Sequence, residues 1–110
     1  MRFYPENAYG IYPAVVQVNS TSTIVIGVPG KSIRVINAFL TASANVNIKW
    51  QSHNLPTDLT GFAYVAQTGG YVLPSDYFGW FQTLVSESLD LNVSGAANIG
   101  GVINYNLIGP

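Results

Sequence analysis

The segment Val46–Gln51 alternates without a fault: Val46, Ile48 and Trp50 are apolar, and Asn47, Lys49 and Gln51 between them are polar. A period of two puts successive side chains on opposite faces of an extended chain, so Ala44–Gln51 is predicted to be a strand with one buried and one wet face. The same alternation returns at Ser88–Ser94, where Leu89, Leu91 and Val93 point one way and Asp90 and Asn92 the other. It returns again at Val102–Ile108, with Ile103, Tyr105 and Leu107 on one face. Short β-branched runs predict strands at Ala14–Val18 and Thr23–Val28, and further strands are expected at Tyr71–Leu73 and Trp80–Thr83. Leu59–Ala66 reads as a strand bent at Gly61.

Ser32–Ala42 is different. Ile33, Val35 and Phe39 fall on one face, Ile36, Ala38 and Leu40 on the other, so the strand is apolar on both sides. Such a strand is covered on both faces. In a small sandwich one cover is the core, and the second is expected to be a neighbouring subunit, with Ile36 and Leu40 as its contacts.

Turn chemistry separates these runs. Pro29-Gly30 suits a type II turn, because proline presets φ and glycine accepts a positive φ, and it predicts a hairpin into Ser32–Ala42. A Ser/Ala turn at residues 42–45 predicts a second hairpin, and the stretch "GAANIGG" reads as a loop. No segment sustains apolar spacings of three and four, so no helix is expected. About eight or nine short strands divided by turns predict an all-β antiparallel sandwich, of which the jelly roll is one form. The sandwich is expected over residues 14–110, preceded by an extended arm at 1–13. Pro5 and Pro13 disfavour helix in that arm, and Phe3, Tyr4, Tyr9 and Tyr12 make it too apolar for a solvated tail.

Composition sharpens this picture at one point. Charged residues are 8% of the 110, against roughly 25% in ordinary soluble domains. Either the solvent face is polar but uncharged, or much of it is covered by neighbours; with a net charge of -1, self-association is weakly opposed. A component of an assembly is the expectation. The four basic residues, Arg2, Lys31, Arg34 and Lys49, are scattered, which argues against a nucleic-acid partner. No apolar run approaches the roughly 18 residues of a membrane span, and the first residues lack the apolar core of a signal peptide, so neither membrane nor export is expected. With no cysteine, disulfides and thiolate-metal sites are excluded.

Candidate chemistry is thin. His53 is the only histidine; Ser52 or Ser75 with Asp58 or Asp76 could complete a triad only by convergence in space, and no nucleophile elbow is present. The carboxylates Glu6, Asp58, Asp76, Glu87 and Asp90 form no motif, and Asp58 and Asp76 read as turn residues that bond their own backbone. The pairs Gly69-Gly70 and Gly100-Gly101 precede no helix, so they are turn or bulge glycines and no phosphate loop. No enzyme activity, metal or cofactor is expected.

The aromatic residues carry the remaining signal. They can fill a core, stack on sugars or anchor a protein interface. Trp50 reads as core. Tyr77, Phe78, Trp80 and Phe81 cannot share one face of a strand: Phe78 and Trp80 fall together, as do Tyr77 and Phe81. One set is core and the other turns towards a partner, for which Tyr77 and Phe81 are the expected subunit contacts.

The run "GWFQT", the strand "ESLDL", the Gly100-Gly101 pair and the final aromatic strand, together with "KSIRVINAFLTASANVNIKWQS" and "LTGFAYVAQTGGYVLP", resemble a pattern found in small virion proteins of tailed bacteriophages. The resemblance covers residues 31 to 105. It implies a small β-sandwich that assembles on a phage particle. Capsid decoration (cement) proteins are similar in size and often trimeric, and a domain of a tail or head fibre that binds a receptor or carbohydrate is the other reading. The partners so implied are further copies of the chain, a homotrimer, and the major capsid protein or another virion protein. In such a protein the arm, through Phe3, Tyr4, Tyr9 and Tyr12, would hold the shell. The location implied is the virion, the chain being made in the bacterial host cytoplasm.

Overall fold

The computed structural model describes residues 10–76 and 78–109. These form ten strands and no helix: β1 (Ile11–Val18), β2 (Ser22–Val25), β3 (Ser32–Ala42), β4 (Val46–Ser52), β5 (Thr57–Asp58), β6 (Ala63–Val65), β7 (Gly70–Leu73), β8 (Phe81–Gln82), β9 (Leu89–Val93) and β10 (Ile99–Ile108). They make two antiparallel sheets packed as a sandwich. Sheet A has the order β1-β10-β3-β7, with β8 also on β3; sheet B has the order β2-β9-β4-β5, with β6 also on β4.

Chain order explains why the expected hairpins do not form. The Pro29-Gly30 turn is there: Gly30 has φ 78°, and Lys31 N–H donates to Val28 O at 3.0 Å. Yet β2 pairs with β9 in sheet B and β3 with β10 in sheet A, so the turn carries the chain between sheets. The same holds at residues 43–45, between β3 and β4. There Ser43 N–H bonds Asn98 O at 3.0 Å and Asn98 N–H bonds Ser43 Oγ at 2.8 Å, tying this crossing to the one that leads from β9 to β10.

The core lies between the sheets. Trp50, Ile33, Leu40, Ile48, Leu89, Leu91, Ile99 and Ile103 are its largest fully buried side chains. The alternation read at β4, β9 and β10 is the alternation found. Phe81 adds to this core, its ring centroid 5.7 Å from that of Trp50.

The long strand β3 departs from its reading. Asn37 pairs with Asn104 and Val35 with Tyr105, so Ile36 is an extra residue against an unbroken β10. A bulge of this kind shifts the phase of alternation. Ile33 and Val35 before it, and Ala38, Leu40 and Ala42 after it, therefore all face the one core. What reads in sequence as two apolar faces is one face with a slip at Ile36.

Two further boundaries move. β1 starts at Ile11, so residues 11–13 belong to the sheet, paired with residues 104–106 of β10. The Gly100-Gly101 pair, read as loop, is inside β10, because Gly101 lets two strands approach where no side chain fits: a Cβ there would stand 1.8 Å from Phe39 O, and its φ is +151°.

Candidate functional site

The outer face of sheet A carries an apolar row. Val15 of β1 stands opposite Val102 of β10, Val102 opposite Phe39 of β3, and Phe39 opposite Val72 of β7. Directly opposed residues have Cβ atoms about 5 Å apart, so these four side chains form one ridge across four strands. Val15 is 78%, Phe39 51% and Val72 61% exposed, and Val102 is half-buried between its neighbours.

Polar and small residues flank the ridge. On one side the cross-strand row is Gln17, Gly100, Thr41 and Gly70; on the other it is Pro13, Asn104 and Asn37. Asn104 Nδ2 donates to Asn37 Oδ1 at 2.7 Å, and Asn37 Nδ2 to Ser75 Oγ at 3.0 Å. None of the eleven positions in the three rows is charged. The two glycines leave the first flanking row without side chains on β10 and β7. An open cavity of about 650 Å³ lies there, lined by Val15, Gln17, Thr41, Thr68 and Gly100 among others.

The aromatic corner borders the same sheet. The segment between β7 and β8 runs along β3, with Asp76 N–H on Ile36 O at 3.1 Å and Trp80 N–H on Val35 O at 2.9 Å. Trp80 Nε1–H donates to Pro74 O at 2.8 Å, which fixes the indole while leaving it 44% exposed; Phe78 is 88% exposed. Asp76 Oδ1 accepts Phe78 N–H at 2.9 Å, a side chain bonding its own turn as expected.

The residues expected at a subunit interface are therefore placed differently. Leu40 is 1% exposed inside the core, and Ile36 is 3% exposed at the bulge, where its carbonyl accepts Asp76 N–H, so neither is open to a neighbour. Phe81 turns inward onto Trp50, and it is Phe78 and Trp80 that face outward. Among the expected shell anchors, Tyr12 belongs to β1 and stacks on Tyr105 across the pair, with ring centroids 5.7 Å apart. Phe3, Tyr4, Tyr9 and Tyr77 lie outside the described residues. The sequence reading missed Val15, Val102, Phe39 and Val72. Their signal was the outward parity of each strand, hidden in β3 by the bulge.

The titratable side chains form structural pairs. Ser52 is fully buried; its Oγ–H donates to Glu87 Oε1 at 2.6 Å, and its Oγ accepts Leu84 N–H at 3.1 Å. It is thus committed to holding the chain segment before β9. His53 Nδ1 lies 2.7 Å from Asp90 Oδ2, and Thr23 Oγ1–H donates to Asp90 Oδ1 at 2.7 Å. Among the described residues no hydroxyl bonds the other ring nitrogen of His53, so the geometry holds no Ser/His/Asp relay. Ser75, the other serine considered, is bonded to Asn37. Asp58 is not a turn former: it lies in β5 and accepts Gln51 Nε2–H at 2.8 Å and Lys49 Nζ–H at 3.2 Å. The Gln51 hydrogen bond, and after it Lys49, hold its carboxyl below the usual carboxylate range. Burial pushes the Tyr105 hydroxyl up, with nearby Tyr12 adding to it. Among the described residues no group of three His, Cys, Asp or Glu side chains converges on a metal-sized site.

The outer face of sheet B is the polar counterpart of the ridge. Lys49, Gln51, Asn92 and Asp58 bond one another there, and Lys49 Nζ sits 4.5 Å from the centroid of the Phe62 ring. Tyr64, 66% exposed, stands opposite Asn47. No protein-family model, curated protein or solved structure matches the chain.

Proposed function

We propose that this chain is a structural virion protein, a capsid decoration (cement) protein that binds a phage head as a homo-oligomer and stabilises it by adhesion, without chemistry. The observation that carries the reading is the bare apolar ridge Val15–Val102–Phe39–Val72 on an uncharged face. Exposed apolar surface of this continuity marks an interaction site, at roughly 25 cal/mol per Å² on burial. An uncharged surround lets it meet a neighbour without desolvating ions. The strand order supports the same reading. Two antiparallel sheets of order β1-β10-β3-β7 and β2-β9-β4-β5, with β6 also on β4 and the chain repeatedly crossing between them, suit the jelly roll proposed here, an architecture used by viral capsid and lectin domains. Several copies in one oligomer would multiply a modest contact through avidity. The partners so proposed are further copies of the chain and the major capsid protein or another shell protein; the location is the virion.

The experiment is co-sedimentation with phage heads that lack the chain. Native protein is expected to pellet with the heads. Removal of residues 1–9, which carry Phe3, Tyr4 and Tyr9, is expected to leave the body folded and abolish pelleting. A truncated chain that still fills the heads would show that the arm is not the anchor.

A receptor- or carbohydrate-binding domain of a phage fibre is the second reading. Its specific support is the outer face of sheet B, where Tyr64 and Phe62 stand beside Asn47, Lys49 and Asn92. Aromatic faces next to amide and ammonium groups suit sugar rings and hydroxyls. Binding on a glycan array that Tyr64→Ala removes would favour it, and an array without hits would count against it.

A further inference from the structure

We infer that the outer face of sheet A is a two-fold, self-complementary interface, and that its occupant is the same face of a second copy of this chain. The inference rests on the oligomeric part of the reading above and not on the virion.

Three observations carry it. The first is charge. The three rows at the centre of the face hold no Asp, Glu, Lys, Arg or His, so two identical faces can meet without opposing like charge to like. The second is shape. The ridge Val15, Val102, Phe39, Val72 runs beside the row Gln17, Gly100, Thr41, Gly70, two residues further along each strand. The first is a line of side chains; the second is hollowed at Gly100 and Gly70. Consider a two-fold axis in the interface plane, across the strands and between the two rows. Rotation about it sets each ridge residue over its counterpart in the flanking row of the other copy: Val102 over Gly100 and Val72 over Gly70, where side chains are missing, and Val15 over Gln17 and Phe39 over Thr41 between those recesses. One set of residues then supplies both the projection and the recess, as an isologous contact requires.

The third observation is that the hollow serves no packing purpose within one chain. A Cβ on Gly100 would meet nothing nearer than Val16 O at 4.0 Å, and one on Gly70 nothing nearer than Leu40 O at 3.9 Å. Gly100 is the second residue of β10 and Gly70 the first of β7, and the fold would accept a side chain at both positions. Neighbouring Gly101 is held by contacts of its own chain, whereas Gly100 and Gly70 keep space on the outer surface. A close approach of other atoms from outside accounts for glycine there.

Size sets the strength. Four strands about 4.8 Å apart and five residues of about 3.4 Å give a footprint of roughly 19 by 17 Å. That is under half the ~800 Å² per partner of a standard interface, so the pair belongs to the weak, transient class. A three-fold ring would need two different patches on each copy, and a ridge that fits its own flank gives a dimer or an even-numbered assembly instead.

Sedimentation velocity on the full chain, from about 1 µM to about 1 mM, tests this. Native protein is expected to pass from monomer to dimer across that range. Phe39→Glu, which puts a carboxylate on the ridge, and Gly100→Val, which fills the hollow, should each hold the chain monomeric throughout, a loss of at least tenfold in affinity. Gly100→Val should do so with thermal stability equal to the native chain or higher, which separates lost pairing from lost folding. Tyr64→Glu, on the opposite sheet, should leave the dimer intact. A native chain that stays monomeric overturns the inference, as does a dimer that survives both variants. A dimer lost with Phe39→Glu but kept with Gly100→Val overturns the ridge-in-hollow register. A trimer overturns the two-fold pairing. None of these outcomes depends on head binding, so failure here and failure of the decoration reading are separate results.

Discussion

Gly101 and Phe39 lie so close across the β10–β3 pair that a Cβ on the glycine would stand 1.8 Å from the Phe39 carbonyl oxygen. The contact joins the two central strands of sheet A at the row next to the ridge. It also explains why Gly101 sits inside a strand instead of ending one.

Gly101→Ala is therefore expected to be costly. The substitution combines a steric conflict with a backbone φ of +151° that L-residues rarely adopt. A cost of about 2–4 kcal/mol follows, visible as a fall in the midpoint of urea unfolding with little change in slope. Gly100→Ala, one residue away, should change the unfolding free energy by less than about 1 kcal/mol. Equal effects at the two positions would contradict the placement of the glycines.

Ser52 offers a second test, of the buried polar node near the start of β9. Its hydroxyl holds Glu87 and receives Leu84 N–H, and Glu87 Oε1 also accepts Asn54 N–H at 3.0 Å. Ser52→Ala should leave an amide and a carboxylate short of partners, at about 1–3 kcal/mol. Native-state hydrogen exchange should show the Leu84 amide losing protection.

Trp50→Ala removes the largest side chain of the core and the surface on which Phe81 rests. The expected loss is about 3–5 kcal/mol, a large part of the stability of a chain this size. Denaturant unfolding followed by circular dichroism should show a chain that is marginally folded at room temperature.

Asp58 gives the pH dependence. Its carboxyl is held below the usual range, first by Gln51 and then by Lys49. A carboxyl lowered in the fold contributes stability above the ordinary carboxylate pKa and loses it as pH falls through the lower folded value. The contribution is small, because the Asp58 side chain is 56% exposed and solvent screens it. An NMR titration of the carboxyl carbon should place the midpoint below that of a model peptide, and Gln51→Ala should raise it.

Much of the sandwich was legible because alternation is a local property. Trp50, Leu89, Leu91 and Ile103 could be placed in the core from their own neighbours in sequence. The hairpins were not legible. Pro29-Gly30 dictates a type II turn but not which strands flank it, since sheet membership is decided by pairing partners far along the chain, as Ser22 with Leu91 and Val25 with Leu89 show for β2 and β9. The interface residues failed for a related reason. The extra residue at Ile36 carries no local signature, and it inverts the parity of everything after it, so Leu40 read as outward and Phe39 as inward. In the aromatic corner parity could not say which rings point inward; the contact with Trp50 makes Phe81 the inner ring, while Phe78 and Trp80 are exposed. The hollow at Gly100 and Gly70 appears only once β1, β10, β3 and β7 are side by side.

The most direct measurement of the central claim, that this sandwich is completed by neighbours on a virus particle, is cryo-electron microscopy of virions purified from cells that make the chain. The account predicts many ordered copies on the outside of the head, with Val15, Phe39, Val102 and Val72 covered by another chain. Heads without such copies, or copies whose sheet A face stands bare to solvent, would contradict it.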